Sequence, residues 1–188
     1  MSAEFSKKLF TVDDCYRMVE AGILCEDERI ELIRGELIQM SPIGTRHMGI
    51  VDRLNKALSR LAGDDAIVRI QGTVVLNKFT APQPDLALLR PREDFYIHKH
   101  PDASDIFLII EVADSSRQYD TKVKSGLYAT YGVHELWIAD LQNEKVTCYT
   151  APVRKRDSYR SVREFHRGDT IAPQLLPDCR LKVDLLLP

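Results

Sequence analysis

Apolar side chains recur along this chain with two periods, and the switches between them predict the order of elements. Cys15, Met18, Val19 and Ile23 follow helical spacing, with Thr11 or Asp13 placed to cap the start and Gly22 near the end. The runs Arg29-Ile-Glu-Leu-Ile and Glu36-Leu-Ile-Gln-Met flank Arg34-Gly35 and predict a hairpin. Ser41-Pro42 breaks the chain, and Ile50, Val51, Leu54, Ala57, Leu58 and Leu61 return to helical spacing up to Gly63. Strands are expected over 66–76, 84–89 and 105–112, separated by segments rich in proline. The third is apolar on both faces and belongs at the centre of a sheet. Val123, Leu127, Tyr128 and Tyr131 mark a third helix that Gly132 can end, and 135–140 reads as a buried strand. Short strand-like runs interrupted by arginines fill the rest. The pattern predicts an α/β (α+β) chain: a mixed central sheet flanked by helices, with an N-terminal helix and hairpin and small C-terminal β additions.

A length of 188 residues suits one domain, divided as helix and hairpin over 1–45, core over 46–140 and β extension over 141–188. Hydrophobic residues at 44% and charged residues at 29% describe a folded globular chain and exclude disorder. The longest uninterrupted aliphatic or aromatic stretch, Ile106 to Ile110, is far short of the roughly 20 residues of a membrane helix. Met1 to Phe10 carries lysines without a following apolar segment, so a cytoplasmic location is expected and no membrane partner. A net charge of −2 means that any contact with nucleic acid must use a local patch. Cys15, Cys25, Cys148 and Cys179 lie far apart with no histidine at zinc-ligand spacing, and His98-Lys-His100 sits in a polar stretch that reads as a loop.

Three charged residues stand where a plain strand or helix would not want them. Asp85 follows Pro84 at the start of an apolar run, Glu111 closes the run Ile106 to Ile110, and Lys124 lies on the following helix. If the two strands are neighbours, both carboxylates project from adjacent strand ends, as hard oxygen ligands for a magnesium-type cation do. Such an ion polarises a phosphodiester and acidifies a water, while the Lys124 ammonium can offset charge on the reacting phosphorus group. The same residues also suit plainer roles: a turn at Pro84-Asp85, an ion pair for Glu111, a solvated lysine.

The ordered set Gln71, Gln83-Pro84-Asp85-Leu-Ala, the run from Asp105 through Glu111 to Ser116, Tyr119-Asp120, Lys124, Leu127-Tyr128-Ala129 and Gly132 to Asp140 resembles the Uma2 family, restriction-endonuclease-like proteins of the PD-(D/E)XK nuclease superfamily. Arg29 to Ile38, Ser41-Pro42, His47 and Leu176-Pro177 extend the similarity over nearly the whole chain. The resemblance implies a restriction-endonuclease-like core in which Asp85 and Glu111 hold Mg2+ or Mn2+. An E-x-K motif would put lysine at position 113, where this chain has Ala113. Lys124 on the next helix matches the place from which the family supplies that lysine, with Lys122 a substitute. An early acidic residue is also implied: Glu31 fits best, with Glu36 and His47 as competitors.

His47 equally suits the start of a helix, and Asp120, four residues before Lys124, suits a helix-start carboxylate or an ion pair. Gln71 and Gln83 can hydrogen-bond near the ion or stand as strand amides. Tyr128 and Trp137 read as core aromatics. Arg154, Lys155 and Arg156, with Tyr159 and Phe165 beyond them, are candidates for phosphate contact. The expected function is metal-dependent hydrolysis of phosphodiester bonds, in DNA first among substrates, with a homodimer expected for a duplex cut. The alternative is an inactive nucleic-acid-binding or assembly module on the same fold.

Overall fold

The computed structural model describes residues 6–25, 27–114 and 123–188. Helix α1, Val12–Glu20, starts at Thr11, whose hydroxyl accepts from the Asp14 amide while the Asp14 carboxylate returns the contact. Strands β1 (Ile30–Ile33) and β2 (Glu36–Gln39) form the expected hairpin as a separate two-stranded sheet. Its turn places Arg34 and Gly35 at φ 52° and 82°, the twist a two-residue hairpin needs. A Cβ at position 35 would also come within 2.7 Å of the Leu9 Cβ, so glycine is required there twice over.

The main sheet has six strands in the order β3 (Ile67–Ile70), β4 (Leu86–Leu89), β5 (Ile106–Ala113), β6 (Glu135–Asp140), β7 (Lys145–Val153) and β8 (Ser158–His166). Every neighbouring pair is antiparallel except β5 and β6, which run parallel. A parallel pair needs a crossover, and helix α3, Ser125–Tyr131, lies on it. Strand β5 is buried along its whole length, as an apolar run in the middle of a sheet requires.

Alternation along the strands divides the core in two. Helix α2, Thr45–Ala62, lays Ile50, Val51, Leu54 and Leu58 against Leu86, Leu88, Leu108, Ile110, Val112 and Trp137, and the C-terminal Val183, Leu186 and Leu187 complete that face. Residues of opposite parity, Ala87, Leu89, Ile109, Ala113, Leu136 and Ile138, meet Tyr128, Ala129 and Val133 of α3 and its cap, with Tyr159 of β8. Short strands β9 (Thr170–Ile171) and β10 (Leu181–Lys182) make a third small sheet.

Two expectations change. The strand expected over 66–76 stops at Ile70, because Gln71 turns to φ 45°, out of the extended region, and the chain leaves the sheet there. From there to Asp85 the chain runs as a loop, joined to the hairpin by a bridge between Leu32 and Ala81. The third helix begins at Ser125 within the described residues; Asp120, Lys122 and the stretch 115–119 lie outside them. Among the described residues no helix is long and apolar enough to cross a membrane.

Candidate active site

The antiparallel register of β4 and β5 pairs Leu86 with Ile110, so the ladder continued would set Asp85 opposite Glu111 and Pro84 opposite Val112. Instead the Asp85 carboxylate takes the Val112 N–H, Oδ2 to N 2.8 Å. Asp85 is thereby fixed one residue from Glu111, at the same end of adjacent strands. Glu111 shares its parity with Ile109 and Ala113 and so belongs to the face covered by α3.

From that helix come two partners. Lys124 Nζ lies 3.1 Å from Glu111 Oε1, and the Tyr128 hydroxyl donates to the same oxygen at 2.7 Å. Both residues sit on one side of the α3 segment because they are four apart. The hairpin supplies the third acid. Glu31 Oε1 lies 3.2 Å from Lys124 Nζ and accepts the Gln83 N–H at 2.9 Å, while Glu31 Oε2 is buried with no hydrogen-bond partner among the described residues. On the other side His47, in the first turn of α2, places Nε2 2.8 Å from Asp85 Oδ1.

These groups lie deep. Lys124 is 1% exposed, Glu111 2%, Asp85 7% and Glu31 0%. Among the described residues two of these carboxylates, Glu31 and Glu111, meet the Lys124 ammonium, and the third, Asp85, meets His47. Buried charge of one sign is costly unless compensated. The region opens into a cleft of about 600 Å³ lined by Asp85, Glu111, Lys124, His47 and Gln83 on one side and by Ile38 to Gly44 on the other.

The remaining candidates are dispersed. Glu36 points outward at half exposure and pairs with Lys7 at 2.7 Å, so the structure places it outside the cluster. Gln71 approaches through its backbone, donating to the Asp85 carbonyl at 3.0 Å, while its amide faces Met48. Asp120 lies outside the described residues. Arg154, Lys155 and Arg156 form a 3₁₀ turn between β7 and β8. Arg154 packs its guanidinium on Gly132 at the C-terminal end of α3, where a Cβ would lie 2.5 Å from it. Lys124 is eight residues earlier, about 12 Å along a helix axis, so the basic turn sits at the far end of α3 from the carboxylates.

Tyr128 was legible only as a core aromatic. Its ring is fully buried, as that reading has it, but its hydroxyl serves Glu111. The signal was its i,i+4 relation to Lys124.

The mixed sheet with its crossover helix is a fold seen elsewhere. The family model of Uma2, described as "Putative restriction endonuclease", matches residues 17–184, and the chain belongs to that family. The crystal structure of a "putative nuclease" from Anabaena variabilis shares the fold at a TM-score of 0.72 with 16% sequence identity, covering 94% of this chain and 97% of that one. Among curated proteins none matches the chain.

Proposed function

We propose that this protein is a metal-dependent endonuclease that hydrolyses phosphodiester bonds, with DNA as the substrate. The observation that carries the reading is the gathering, among the described residues, of three buried carboxylates and Lys124 beside an open cleft. Among the described residues Glu31, Asp85 and Glu111 outnumber the lysine, and Asp85 and Glu111 line the cleft, which fits a divalent cation as a further countercharge. Asp85 and Glu111 are the ligands, both hard oxygen donors suited to Mg2+ or Mn2+. Among the described residues no group of three or more acidic, histidine or cysteine side chains is placed to hold a metal ion, so beyond Asp85 and Glu111 the ligands would be water and substrate oxygens, as magnesium commonly has. When bound, such an ion lowers the pKa of a water and stabilises charge on the phosphoryl oxygens.

The chain's own groups then divide the work. Lys124 is the only one of the four central residues that can stabilise developing negative charge on the scissile phosphate, and it lines the cleft to do so. Glu31 does not line the cleft; it acts through Lys124, holding the ammonium from behind while the Gln83 amide holds Glu31. Tyr128 and His47 each hold one carboxylate oxygen of a ligand, Tyr128 on Glu111 and His47 on Asp85, and fix the direction in which the pair faces.

Purified protein incubated with labelled DNA and Mn2+ tests this directly. Cleavage that needs the metal and disappears in both Asp85→Asn and Glu111→Gln is expected. Cleavage that persists in either variant, or in excess chelator, assigns the activity elsewhere.

A further inference from the structure

The cleft that holds the carboxylates also has an apolar wall. Ile38, Met40, Pro42 and Ile43 line it, and the Gln39 and Gln83 amides line the same space. The wall is held in place, because the Met40 N–H donates to the Arg29 carbonyl at 2.8 Å and the Arg29 guanidinium donates to the Ser41 carbonyl at 2.9 Å. A phosphate and its sugar need no hydrocarbon surface of this kind beside a charged centre. A nucleobase taken out of its stack does: its faces are apolar and its edges seek amide groups.

Depth points the same way. Lys124 and Glu111 are at most 2% exposed, so the scissile phosphate must descend into the cleft to reach them. Duplex DNA is stiff over about 150 base pairs and cannot dip one phosphate into a cleft without unstacking its neighbours. An unpaired strand can, and a cleft of about 600 Å³ lies inside the range of about 300–1,000 Å³ that encloses small-molecule-sized groups. Arg29, on the same wall, supplies a cation for an adjacent phosphate.

Resting on the nuclease reading above, we infer that the substrate is an unpaired polynucleotide strand, single-stranded or frayed from a duplex, whose base next to the scissile phosphate seats on Ile38, Met40 and Ile43. Only one strand is cut per visit, so one copy of the site suffices.

The test uses one sequence in four forms, each labelled: single-stranded DNA, single-stranded RNA, a blunt duplex and a duplex with an unpaired arm. Protein and Mn2+ are added, and the Glu111→Gln protein binds the same four in fluorescence anisotropy. Cleavage of the DNA strand and of the unpaired arm at least about ten-fold faster than the duplex interior is expected. The RNA arm decides between the two sugar types. A Met40→Ala, Ile43→Ala protein of unchanged Tm should raise KM for single strands more than it lowers kcat. Equal or faster cutting inside the blunt duplex, abolished by Glu111→Gln, overturns the inference and leaves the nuclease reading intact. If nothing is cut, the nuclease reading falls and anisotropy decides: tighter binding of single strands, weakened in the double variant, supports the cleft assignment, and binding without preference or no binding removes it.

Discussion

Two glutamates are almost equally buried in the central strands, and they are used in opposite ways. Glu135, 1% exposed at the start of β6, accepts the Trp137 indole N–H at 2.6 Å and the Cys148 thiol at 3.4 Å on Oε1, and the Gln174 N–H at 2.7 Å on Oε2. All three partners are neutral, and they come from the same strand, the neighbouring strand and the C-terminal segment. Glu111, 2% exposed near the end of β5, meets an ammonium and a phenol on one oxygen, with the Glu31 carboxylate on the same lysine. Since β5 and β6 run parallel, the two acids mark opposite ends of the pair. They also face opposite sides: Trp137 and Cys148 belong to the α2 side, Ile109 and Tyr128 to the α3 side.

Burial therefore does not distinguish a structural acid from a working one. The difference lies in what satisfies the charge. Around Glu135 three protein donors spread over both oxygens close the site and fasten the tail to the sheet. Around Glu111, among the described residues, Glu31 and Glu111 share the one Lys124 ammonium, and an open cleft lies beside them. The cost of burial is met locally in one region; in the other, on the function proposed above, a bound cation meets part of it.

The largest expected contrast is between Lys124→Met and Glu135→Gln. Removing the ammonium should lower cleavage by about 10²–10³-fold, the usual effect of losing one group that stabilises transition-state charge. It should also destabilise the metal-free fold by about 3–5 kcal/mol, because Glu31 and Glu111 stay buried beside each other without it. Glu135→Gln should leave cleavage near the parent rate and cost about 1–3 kcal/mol, since an NH2 group replaces an acceptor in front of a donor. Cleavage rates and thermal melts on the two proteins measure both effects. An equal loss of cleavage in the two would erase the distinction drawn here.

Smaller, and independent of catalysis, is the response to a cation. Mn2+ at about one hundred times its dissociation constant should stabilise the parent by about 2.7 kcal/mol, which for a chain of this size raises Tm by several degrees. The shift should vanish in Asp85→Asn and survive in Glu135→Gln. A shift that survives in Asp85→Asn would place the ion at another carboxylate.

Much of this contrast was readable in the sequence, and the unreadable part has a physical reason. Proline before Asp85 and an unbroken apolar run before Glu111 made both acids conspicuous, and the apolar run also placed β5 at the centre. The hairpin, α2 and the strand 135–140 followed from period and from Gly35, Gly63 and Gly132. The resemblance alone favours Glu31 over Glu36 and His47, because the hairpin's own residues do not say which of its acids is buried; that depends on the Leu32–Ala81 bridge between hairpin and loop, a long-range contact with no local signature. Tyr128 carries an apolar ring on an apolar stripe, and its hydroxyl becomes informative only once the helix is docked over Glu111. Gln71 ended β3 early through a left-handed backbone that its residue type does not announce. Glu135 itself drew no attention as a charged residue in a buried strand, since its three partners lie 2, 13 and 39 residues away.

The smallest effect concerns the closed region alone. Burial, and next the adjacent Glu135 carboxylate, push the Cys148 thiol up to about 12. Burial likewise raises Tyr159, with Glu135 and Cys148 adding to it. A thiol in the unfolded chain loses its proton near its ordinary value of 9.0, while the folded chain keeps it. Between about pH 9 and about pH 12 the folded state therefore binds more protons than the unfolded state, and stability falls as pH rises; below about pH 9 the thiol contributes no slope. Urea midpoints measured from pH 8 to 10.5 should decline in the parent and decline less in Cys148→Ser, which keeps a donor to Glu135 without titrating in this range. A thiol reagent at pH 8 should label the exposed Cys25 and spare Cys148 in the folded protein. Parallel urea curves for parent and variant, or rapid labelling of Cys148, would mean that water reaches Glu135, and the region would then resemble the cleft it is contrasted with.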